Sequence, residues 1–425
     1  MKKFNLLFSA LLGATSLFAQ TVETVSVGPS YQEASYYRLS DGQTQELPHA
    51  NWQFAFSVFG QQDAGIFINE GSSLGGTAVK LHLSSTTDFA TTIDPSTDLV
   101  QELSNPEQNW SEGAFNTASN SSNFDYGWGS YQMSNHQIVG DKVFVLELSD
   151  GSYKKLMIDS LVSGSYYFRY ADLDGSNLVQ TQVNKADHSG QTLAYYSIDS
   201  TATLQSAELN GGWDLLFSRY STLIDDGQGG QMAYGVTGVL AHKDLEVAEA
   251  AGVTPSQVQA SSYQDSFATE PLTIVGHDWK SYDFSSGWGV SSDLVYFFRT
   301  TDQNIWKVQF IDFEGSSTGL SRLQKENLGP LSIFQAPNAA VKGIKLFPQP
   351  ARQQNIQLLL EPTQNATYEI QIYNTLGQSI WSKQYNLQQG LQQLELPSAQ
   401  FSAGQYILQI RQGEQTSALP FLLLD

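Results

Sequence analysis

Hydrophobic and polar residues alternate with a period of two along much of the chain. In residues 52–57 (WQFAFS) large aromatic side chains occupy every second position, and residues 368–373 (YEIQIY) repeat the pattern near the C-terminus. Successive side chains of a β-strand point to opposite faces, so this alternation predicts antiparallel strands with one buried face and one face in water. Clusters of Gly, Asp, Asn and Ser separate the runs and indicate turns. The pattern therefore predicts an all-β protein.

Two segments allow more detailed predictions. Residues 242–252 (HKDLEVAEAAG) have apolar residues at helical spacing and end in glycine, which predicts a helix. Residues 295–298 (VYFF) and 307–313 (KVQFIDF) flank a polar turn, which predicts a β-hairpin.

The elements recur in the same order. Residues 36–37 (YY) and 52–57 (WQFAFS) return as residues 195–196 (YY) and 213–218 (WDLLFS), 159 and 161 residues later. This period is far longer than that of a solenoid repeat, so each copy has the size of a whole domain.

A later match extends the repeat. Residues 126–129 (YGWG) are answered by residues 286–289 (SGWG). We therefore predict two tandem, related β-rich domains, residues 20–186 and 187–335, before a distinct third unit at residues 336–425.

Composition restricts the partners and the chemistry. The 425 residues include 42 acidic and 21 basic side chains, for a formal charge of −21, and no cysteine. Such a field repels phosphate backbones, which argues against a nucleic-acid partner. Without cysteine, neither disulfides nor thiolate metal sites contribute to stability.

Residues 1–19 have the pattern of a secretory signal peptide. A basic start (MKK) precedes an apolar run at residues 6–18 and the small residue Ala19. The run is too short for a stable transmembrane span, so we expect cleavage before Gln20.

Several unlike pieces of the second copy occur in an order typical of one family. They are residues 213–220 (WDLLFSRY), 225–230 (DDGQGG), 294–299 (LVYFFR) and 307–313 (KVQFIDF). Together they resemble the HmuY family of secreted haem-binding proteins, over essentially the whole second copy and more loosely over the first. The resemblance implies a β-rich fold that holds a haem between side chains of loops near its second half.

The haem ligands of that family do not recur at the matching place. Residues 284–286 (FSS) have serine where the family has a histidine. Family members also use methionine, so the resemblance leaves Met133, His136 and Met232 as candidate axial ligands. Isolated Met and His residues more often pack in a core or lie at the surface, which is the alternative interpretation.

Aromatic residues suggest a second kind of ligand. Four tryptophans lie in predicted loops, namely Trp110, Trp128, Trp279 and Trp288. They could stack on sugars or on a protein partner. By contrast, Trp52 and Trp213 lie within alternating strands and are predicted core residues.

The third unit contains three ordered motifs. Residues 344–351 (IKLFPQPA), 368–378 (YEIQIYNTLGQ) and 401–410 (FSAGQYILQI) resemble the C-terminal sorting domain of type IX secretion, a small β-sandwich. The motif residues are Pro348, Pro350, Gly377 and Gly404. The resemblance implies the type IX machinery as a partner and passage through the periplasm and the Gram-negative outer membrane. The mature protein would be secreted or held at the cell surface.

Two common catalytic motifs are absent from the sequence. There is no H-E-x-x-H or P-loop pattern, and the six histidines lack metal-ligand spacing. Residues 172–177 (DLDGSN) have the oxygens of a calcium turn, although Asp-Gly is also the ordinary chemistry of a surface turn. We therefore expect a non-catalytic binding protein with haem as a candidate ligand. The alternatives are an adhesion or carbohydrate-binding protein and, third, a hydrolase with unrecognised carboxylates.

Overall fold

The structure, a computed structural model, describes residues 20–61, 63–71, 79–119, 124–330, 340–347, 351–352, 356–375, 377–397, 400–413 and 415–424. The chain divides into two compact units, residues 1–329 and 330–425. The predicted signal peptide lies outside the described residues, as does most of the segment before the third unit. Within the described ranges, no helix is long and apolar enough to cross a membrane.

Strands dominate the larger unit, as the alternation predicts. They are β1 (Thr21–Ser26), β2 (Glu33–Tyr37), β3 (Thr44–Pro48), β4 (Phe54–Ser57), β5 (Ile66–Ile68), β6 (Lys80–Ser84), β7 (Leu99–Leu103), β8 (Gly129–Gln132), β9 (Gln137–Gly140), β10 (Phe144–Glu147), β11 (Tyr153–Val162), β12 (Ser165–Ala171), β13 (Val179–Asn184), β14 (Leu193–Ser197), β15 (Ala202–Thr203), β16 (Leu215–Asp225), β17 (Gln231–Ala241), β18 (Glu246–Ala250), β19 (Lys280–Asp283), β20 (Gly287–Val290), β21 (Val295–Arg299), β22 (Asn304–Phe313) and β23 (Leu320–Pro330). Short 3-10 turns occur at Pro29–Tyr31, His49–Asn51, Ala114–Ala118, Lys185–His188, Ala260–Ser266 and Gly315–Ser317.

The two copies build equivalent outer sheets. One has the strand order β13-β12-β11-β10-β6-β7 and the other β1-β23-β22-β21-β18. β13 pairs with β12 as β1 pairs with β23, so β13, at the end of the predicted first domain, is the structural counterpart of β1. The β1–β23 pairing brings a strand of the first copy into the sheet of the second.

Two inner sheets exchange strands in a reciprocal way. Their orders are β15-β14-β4-β5 and β17-β16-β2-β3. In one sheet β4 comes from the first copy and its partner β14 from the second. In the other sheet β2 comes from the first copy and its partner β16 from the second, with β2 in the place of β14 and β16 in the place of β4. Residues 36–37 therefore pair with residues of the segment 213–218, and residues 195–196 pair with residues of the segment 52–57. Each of these pairings joins one copy to the other.

Side chains along the inner strands point alternately to opposite faces, and they therefore contribute to three separate hydrophobic cores. In β4, Phe54 and Phe56 enter the core of lobe 1, which includes residues 54–183 and the β14 residues Ala194 and Tyr196. Ala55 faces a central core between the two inner sheets. Lobe 2 is built in the same way around residues 215–323, with side chains from the first 39 residues completing its core.

The inner strands are buried on both faces, which differs from the expected wet face. Gln53, Ala55 and Ser57 are buried like the aromatic residues between them. The predicted period of two is confirmed. A strand in a middle layer is covered on both faces, however, so neither face is in contact with water. Sheets run across the predicted boundary at residues 186 and 187, and the division into domains 20–186 and 187–335 remains a prediction about two related copies.

The helix predicted at residues 242–252 is wrong. Glu246–Ala250 is the edge strand β18, paired with β21 from Glu246 opposite Arg299 to Ala250 opposite Val295. Helical propensity is a weak preference, and sheet pairing with an apolar partner strand overrides it. The predicted hairpin is confirmed as β21 and β22.

The smaller unit is a β-sandwich. Its strands are β24 (Val341–Phe347), β25 (Ala351–Arg352), β26 (Ile356–Pro362), β27 (Ala366–Asn374), β28 (Ser379–Leu387), β29 (Gln392–Leu396), β30 (Gly404–Gln412) and β31 (Gln415–Leu424). They form sheets with the orders β24-β26-β29 and β25-β31-β30-β27-β28. Tyr368, Ile370 and Ile372 point into the shared core, which confirms the alternation predicted for residues 368–373.

Reciprocal exchange predicts that one copy cannot fold alone as a monomer. A fragment of residues 20–178 lacks β13 and β14, so the lobe 1 core loses Ala194 and Tyr196 and the β4 and β12 edges become unpaired. We expect this fragment to associate or aggregate, and to form a cooperatively unfolding 1:1 complex when refolded with residues 179–330. Size-exclusion chromatography and circular dichroism measure both outcomes. A monomeric fragment with the thermal stability of the intact unit would contradict the prediction.

Candidate functional site

Three of the four tryptophans predicted in ligand-binding loops are core residues. Trp110, Trp128 and Trp279 are buried, and each donates its Nε1–H to a backbone oxygen. The acceptors are Ala241 O at 2.9 Å, Ala64 O at 2.9 Å and Gly276 O at 3.2 Å, respectively. Only Trp288 is exposed, at 41 %. Of the four, Trp288 alone has a ring surface open to an external ligand.

Two equivalent hairpins lie beside exposed aromatic residues. The β8–β9 hairpin precedes β10, and the β19–β20 hairpin precedes β21 at the same place in the second copy. Trp128 directly precedes β8 and Trp279 directly precedes β19. In the structure the counterpart of Trp128 is therefore Trp279. The sequence match of residues 126–129 with residues 286–289 instead pairs Trp128 with Trp288.

The tip of the β19–β20 hairpin presents a cluster of aromatic rings. Phe284 is 98 % exposed, and Tyr282 lies beside it with ring centroids 5.7 Å apart. Trp288 is 5.3 Å from Tyr282 and packs edge-on against Phe313 at 4.9 Å, which joins the cluster to the core of lobe 2. The tip is held by Asp283, whose Oδ1 accepts the backbone N–H groups of the two serines that follow Phe284. The hydroxyl group of Ser285 also donates a hydrogen bond to Asp283 and contributes most to lowering its pKa, and the two backbone N–H groups lower it further.

The β8–β9 hairpin brings two of the predicted haem ligands together. Met133 and His136 lie in the tip between Gln132 and Gln137, and Met133 is 69 % exposed. The Tyr131 hydroxyl is hydrogen-bonded to His136 Nδ1 at 2.7 Å. Phe124 lies nearly parallel to Tyr131 at 6.3 Å, and with Tyr126 these residues line an open groove.

Met232, the third candidate ligand, lies on a different hairpin. It belongs to β17, paired with Ile224 near the end of the long β16–β17 hairpin, and it is exposed. The structure therefore places Met133 and His136 on one tip of the first copy and Met232 on a strand of the second.

The carboxylates of the turn at residues 172–177, which have the oxygens of a calcium turn, are already paired with the protein's own groups. Asp172 pairs with Lys154 and accepts hydrogen bonds from Ser176 and Asn177, while Asp174 accepts from Ser176. Among the described residues, no group of three or more His, Asp or Glu side chains is arranged to hold a metal ion.

Sequence reasoning missed a polar cluster in the central core. Glu70, Glu107 and Arg219 line a cavity between the inner sheets, together with His49 and Asn69. Arg219 lies in the motif at residues 213–220 (WDLLFSRY), but the motif gives it no role, and the other four residues belong to no recognised motif. The residues meet because the two copies exchange strands.

Burial sets the charge of this cluster. It raises the pKa of Glu70 to about 7, although Glu70 accepts the N–H groups of Asn105 at 2.8 Å and Ser221 at 3.2 Å. Burial, reinforced by the Arg219 charge and partly offset by the Asn69 side chain, lowers the pKa of His49 to about 4. His49 is therefore neutral at pH 7, and Glu70 is close to half ionised.

The raised pKa of Glu70 predicts a pH-dependent stability. A carboxyl with a raised pKa in the folded state stabilises the protein fully below about pH 4.5, and this stabilisation is lost as the pH rises through about 7. We expect the free energy of unfolding of Glu70→Gln, taken relative to that of wild type, to increase by about 3 kcal/mol when the pH is raised from 4.5 to 8. Chemical denaturation at both pH values measures this change, with exposed Glu102→Gln as control. An equal effect of Glu70→Gln at both pH values would contradict it.

Two motif positions of the predicted sorting domain fall within the described sandwich. Gly377 follows β27 in a left-handed conformation (φ 76°), and its N–H donates to Asn374 O at 3.0 Å, which closes the turn to β28. Gly404 is the first residue of β30. Pro348 and Pro350 lie outside the described residues.

The comparison with known families supports this part of the chain. Residues 345–421 match the family described as a secretion system C-terminal sorting domain. A comparison of the chain with curated proteins finds no match. The matched residues coincide with the β-sandwich formed by β24 to β31. The C-terminal unit is therefore similar to the sorting domains of type IX secretion, and the protein is exported through that machinery to the cell surface or beyond it.

Proposed function

We propose that this exported protein is a non-catalytic carbohydrate-binding protein that presents two aromatic hairpins to its ligand. Adhesion to a glycan-covered surface is the role that such a protein would serve after export. The observation that carries the proposal is the cluster of Tyr282, Phe284 and Trp288 at one exposed tip.

The exposure of Phe284 supports a ligand contact. A phenyl ring that is 98 % exposed contributes almost nothing to folding, and clustered exposed apolar residues commonly mark interaction sites. The ring faces of Phe, Tyr and Trp pack well against the apolar faces of sugar rings, while the phenol and indole groups add hydrogen bonds. The packing of Trp288 on Phe313 fixes part of this surface before a ligand arrives.

The first copy offers a second surface at the equivalent hairpin. Phe124 and Tyr131 lie nearly parallel there, beside His136 in an open groove. Two related surfaces on one chain raise the affinity for a repeating ligand, because the second contact forms within the complex. The formal charge of −21 favours a neutral or basic glycan over an acidic one.

Alanine substitutions at the β19–β20 tip test the proposal. Phe284→Ala and Trp288→Ala should each weaken glycan binding at least about fivefold, since one aromatic contact contributes roughly 0.5–1.5 kcal/mol beyond its buried area. Phe284→Ala should leave the melting temperature unchanged because its side chain is exposed. Affinity gel electrophoresis against xylan, galactomannan, β-glucan and mucin measures the binding, with exposed Tyr167→Ala on β12 as the matched control. Equal mobility of wild type and variants in every gel would refute the proposal.

Haem is the second candidate ligand, favoured by the contact between Tyr131 and His136. The hydrogen bond at Nδ1 orients the imidazole and would leave Nε2 for the iron, as the hydrogen-bond partners of ligating histidines do in metal sites. Met133, three residues earlier on the same tip, or Met232 would supply the other axial ligand.

Haemin titration tests this alternative. If haem binds at the β8–β9 tip, the Soret band of wild type shifts, and His136→Ala and Met133→Ala each abolish the shift. Retention of the shift in Met232→Ala would assign both ligands to the first copy, whereas its loss would assign one to Met232. Absence of any shift in wild type would exclude haem and leave the aromatic surfaces as the binding sites.

A further inference from the structure

A cavity of about 80 Å³ lies in the central core between the two inner sheets. Aromatic and aliphatic side chains of both copies form most of its wall, including Trp52, Phe67 and Trp110 from the first copy and Tyr195 and Leu216 from the second. It is separate from both exposed hairpin tips, none of whose residues contributes to its lining.

Polar atoms at this cavity lack partners. Among the described residues, no well-formed hydrogen bond is found for His49 Nδ1 and Nε2, Trp52 Nε1 or Asn69 Oδ1, although the Asn69 side chain interacts with His49 and partly offsets the lowering of its pKa. All three side chains line the cavity and are at least nine-tenths buried. Buried polar atoms are nearly always paired, and an unpaired one destabilises the fold. Four such atoms around one cavity therefore indicate that something else completes their hydrogen bonds.

The second copy shows how the equivalent tryptophan is satisfied. Trp213, the counterpart of Trp52, donates its Nε1–H to Glu208 at 3.0 Å. The same carboxylate accepts the backbone N–H groups of Thr192 and Leu193. No described residue plays the part of Glu208 for Trp52. The indole N–H of Trp213 therefore has the carboxylate of Glu208 as its acceptor, whereas Trp52 lines the cavity and its indole N–H has no acceptor.

We propose that the central cavity is a binding site for a small neutral ligand with an acceptor oxygen and an N–H or O–H donor. An amide or an alcohol, alone or as the end group of a longer molecule, fits this description. Trp52 Nε1–H donates to the ligand oxygen, and Asn69 Oδ1 accepts from its donor. His49 is neutral at pH 7 and offers one donor and one acceptor.

Charges of both signs line the cavity, Glu70 and Glu107 against Arg219. No single sign of charge therefore compensates the loss of hydration of a buried ion, which favours a neutral ligand. Its volume is also small, since an apolar cavity of about 150 Å³ accommodates benzene. A ligand group of about four heavy atoms is therefore the expected size.

Acetamide is a suitable probe because it has four heavy atoms, an acceptor oxygen and an amide donor. The full mature chain is labelled with ¹⁵N at its eight tryptophan indoles, and the signals of Trp52 and Trp213 are assigned from the Trp52→Phe and Trp213→Phe spectra. We expect the Trp52 indole signal to shift saturably at millimolar acetamide, and the Trp213 signal, already bonded to Glu208, to stay in place. Absence of a saturable Trp52 shift, or equal shifts of both signals, would overturn the proposal. Acetate that binds as tightly as acetamide would overturn the assignment to a neutral ligand.

The buried His49 and the half-buried His242 provide matched variants. His49→Phe removes two unpartnered nitrogens, so the melting temperature should stay constant or rise while acetamide affinity falls at least fivefold. His242→Phe removes partners of Thr192 Oγ1 and the Asp244 N–H away from the cavity, so it should lower the melting temperature and leave acetamide affinity unchanged. If His49→Phe destabilises the protein as much as His242→Phe, the His49 nitrogens have a structural partner and the proposal fails.

Discussion

Reciprocal strand exchange between the two copies is the constraint on which the rest of the larger unit depends. β2 pairs with β16 and β14 pairs with β4, so neither lobe is complete until segments about 180 and about 140 residues apart, respectively, have met. At the centre, the hydroxyl groups of Tyr36 and Tyr195 hydrogen-bond to each other. Tyr36 packs on Trp213 and Tyr195 packs on Trp52, the same contact made in both directions. Because these pairings are long-range, their loop-closure entropy must be overcome before the cores are stabilised.

Buried lysines tie the exchanged segments together in a protein that has no disulfides. Lys325, near the end of the second copy, donates to Leu39 O at 2.8 Å. Lys185, at the predicted boundary between the copies, donates to Gly60 O at 2.6 Å, and burial lowers its pKa to about 8. Burial of an ammonium group is costly, but backbone carbonyl acceptors and ring contacts at Tyr37 and Tyr166 offset part of that cost. The Lys325 link joins the two copies and therefore stabilises only the exchanged arrangement, while the Lys185 link holds the segment before β14 to the loop after β4.

The equivalent hairpins show how a duplicated framework can acquire different surfaces. Trp128 and Trp279 anchor the two hairpins in their lobes through the same kind of indole-to-backbone hydrogen bond. Beyond these anchors the tips differ, with Met133 and His136 on one and Phe284 on the other. A tip contributes little to the core, so its side chains can change without loss of the fold. The core differs as well, since Glu208 satisfies Trp213 while the corresponding space at Trp52 is a cavity.

The sequence by itself determined the all-β class and the β21–β22 hairpin, because both follow from alternation and turn chemistry within short windows. The C-terminal sandwich followed from the resemblance of its motifs. The sequence also identified the export domain, whose motifs are local. Only the tertiary structure decided that residues 246–250 form an edge strand, since the competing stabilisation comes from β21, more than forty residues away. It also decided that Trp110, Trp128 and Trp279 are core residues while Trp288 and Phe284 are exposed. Whether an aromatic side chain packs inside or binds outside depends on which strands cover it. In this protein those strands come from the other copy, at distances along the chain that no local pattern records.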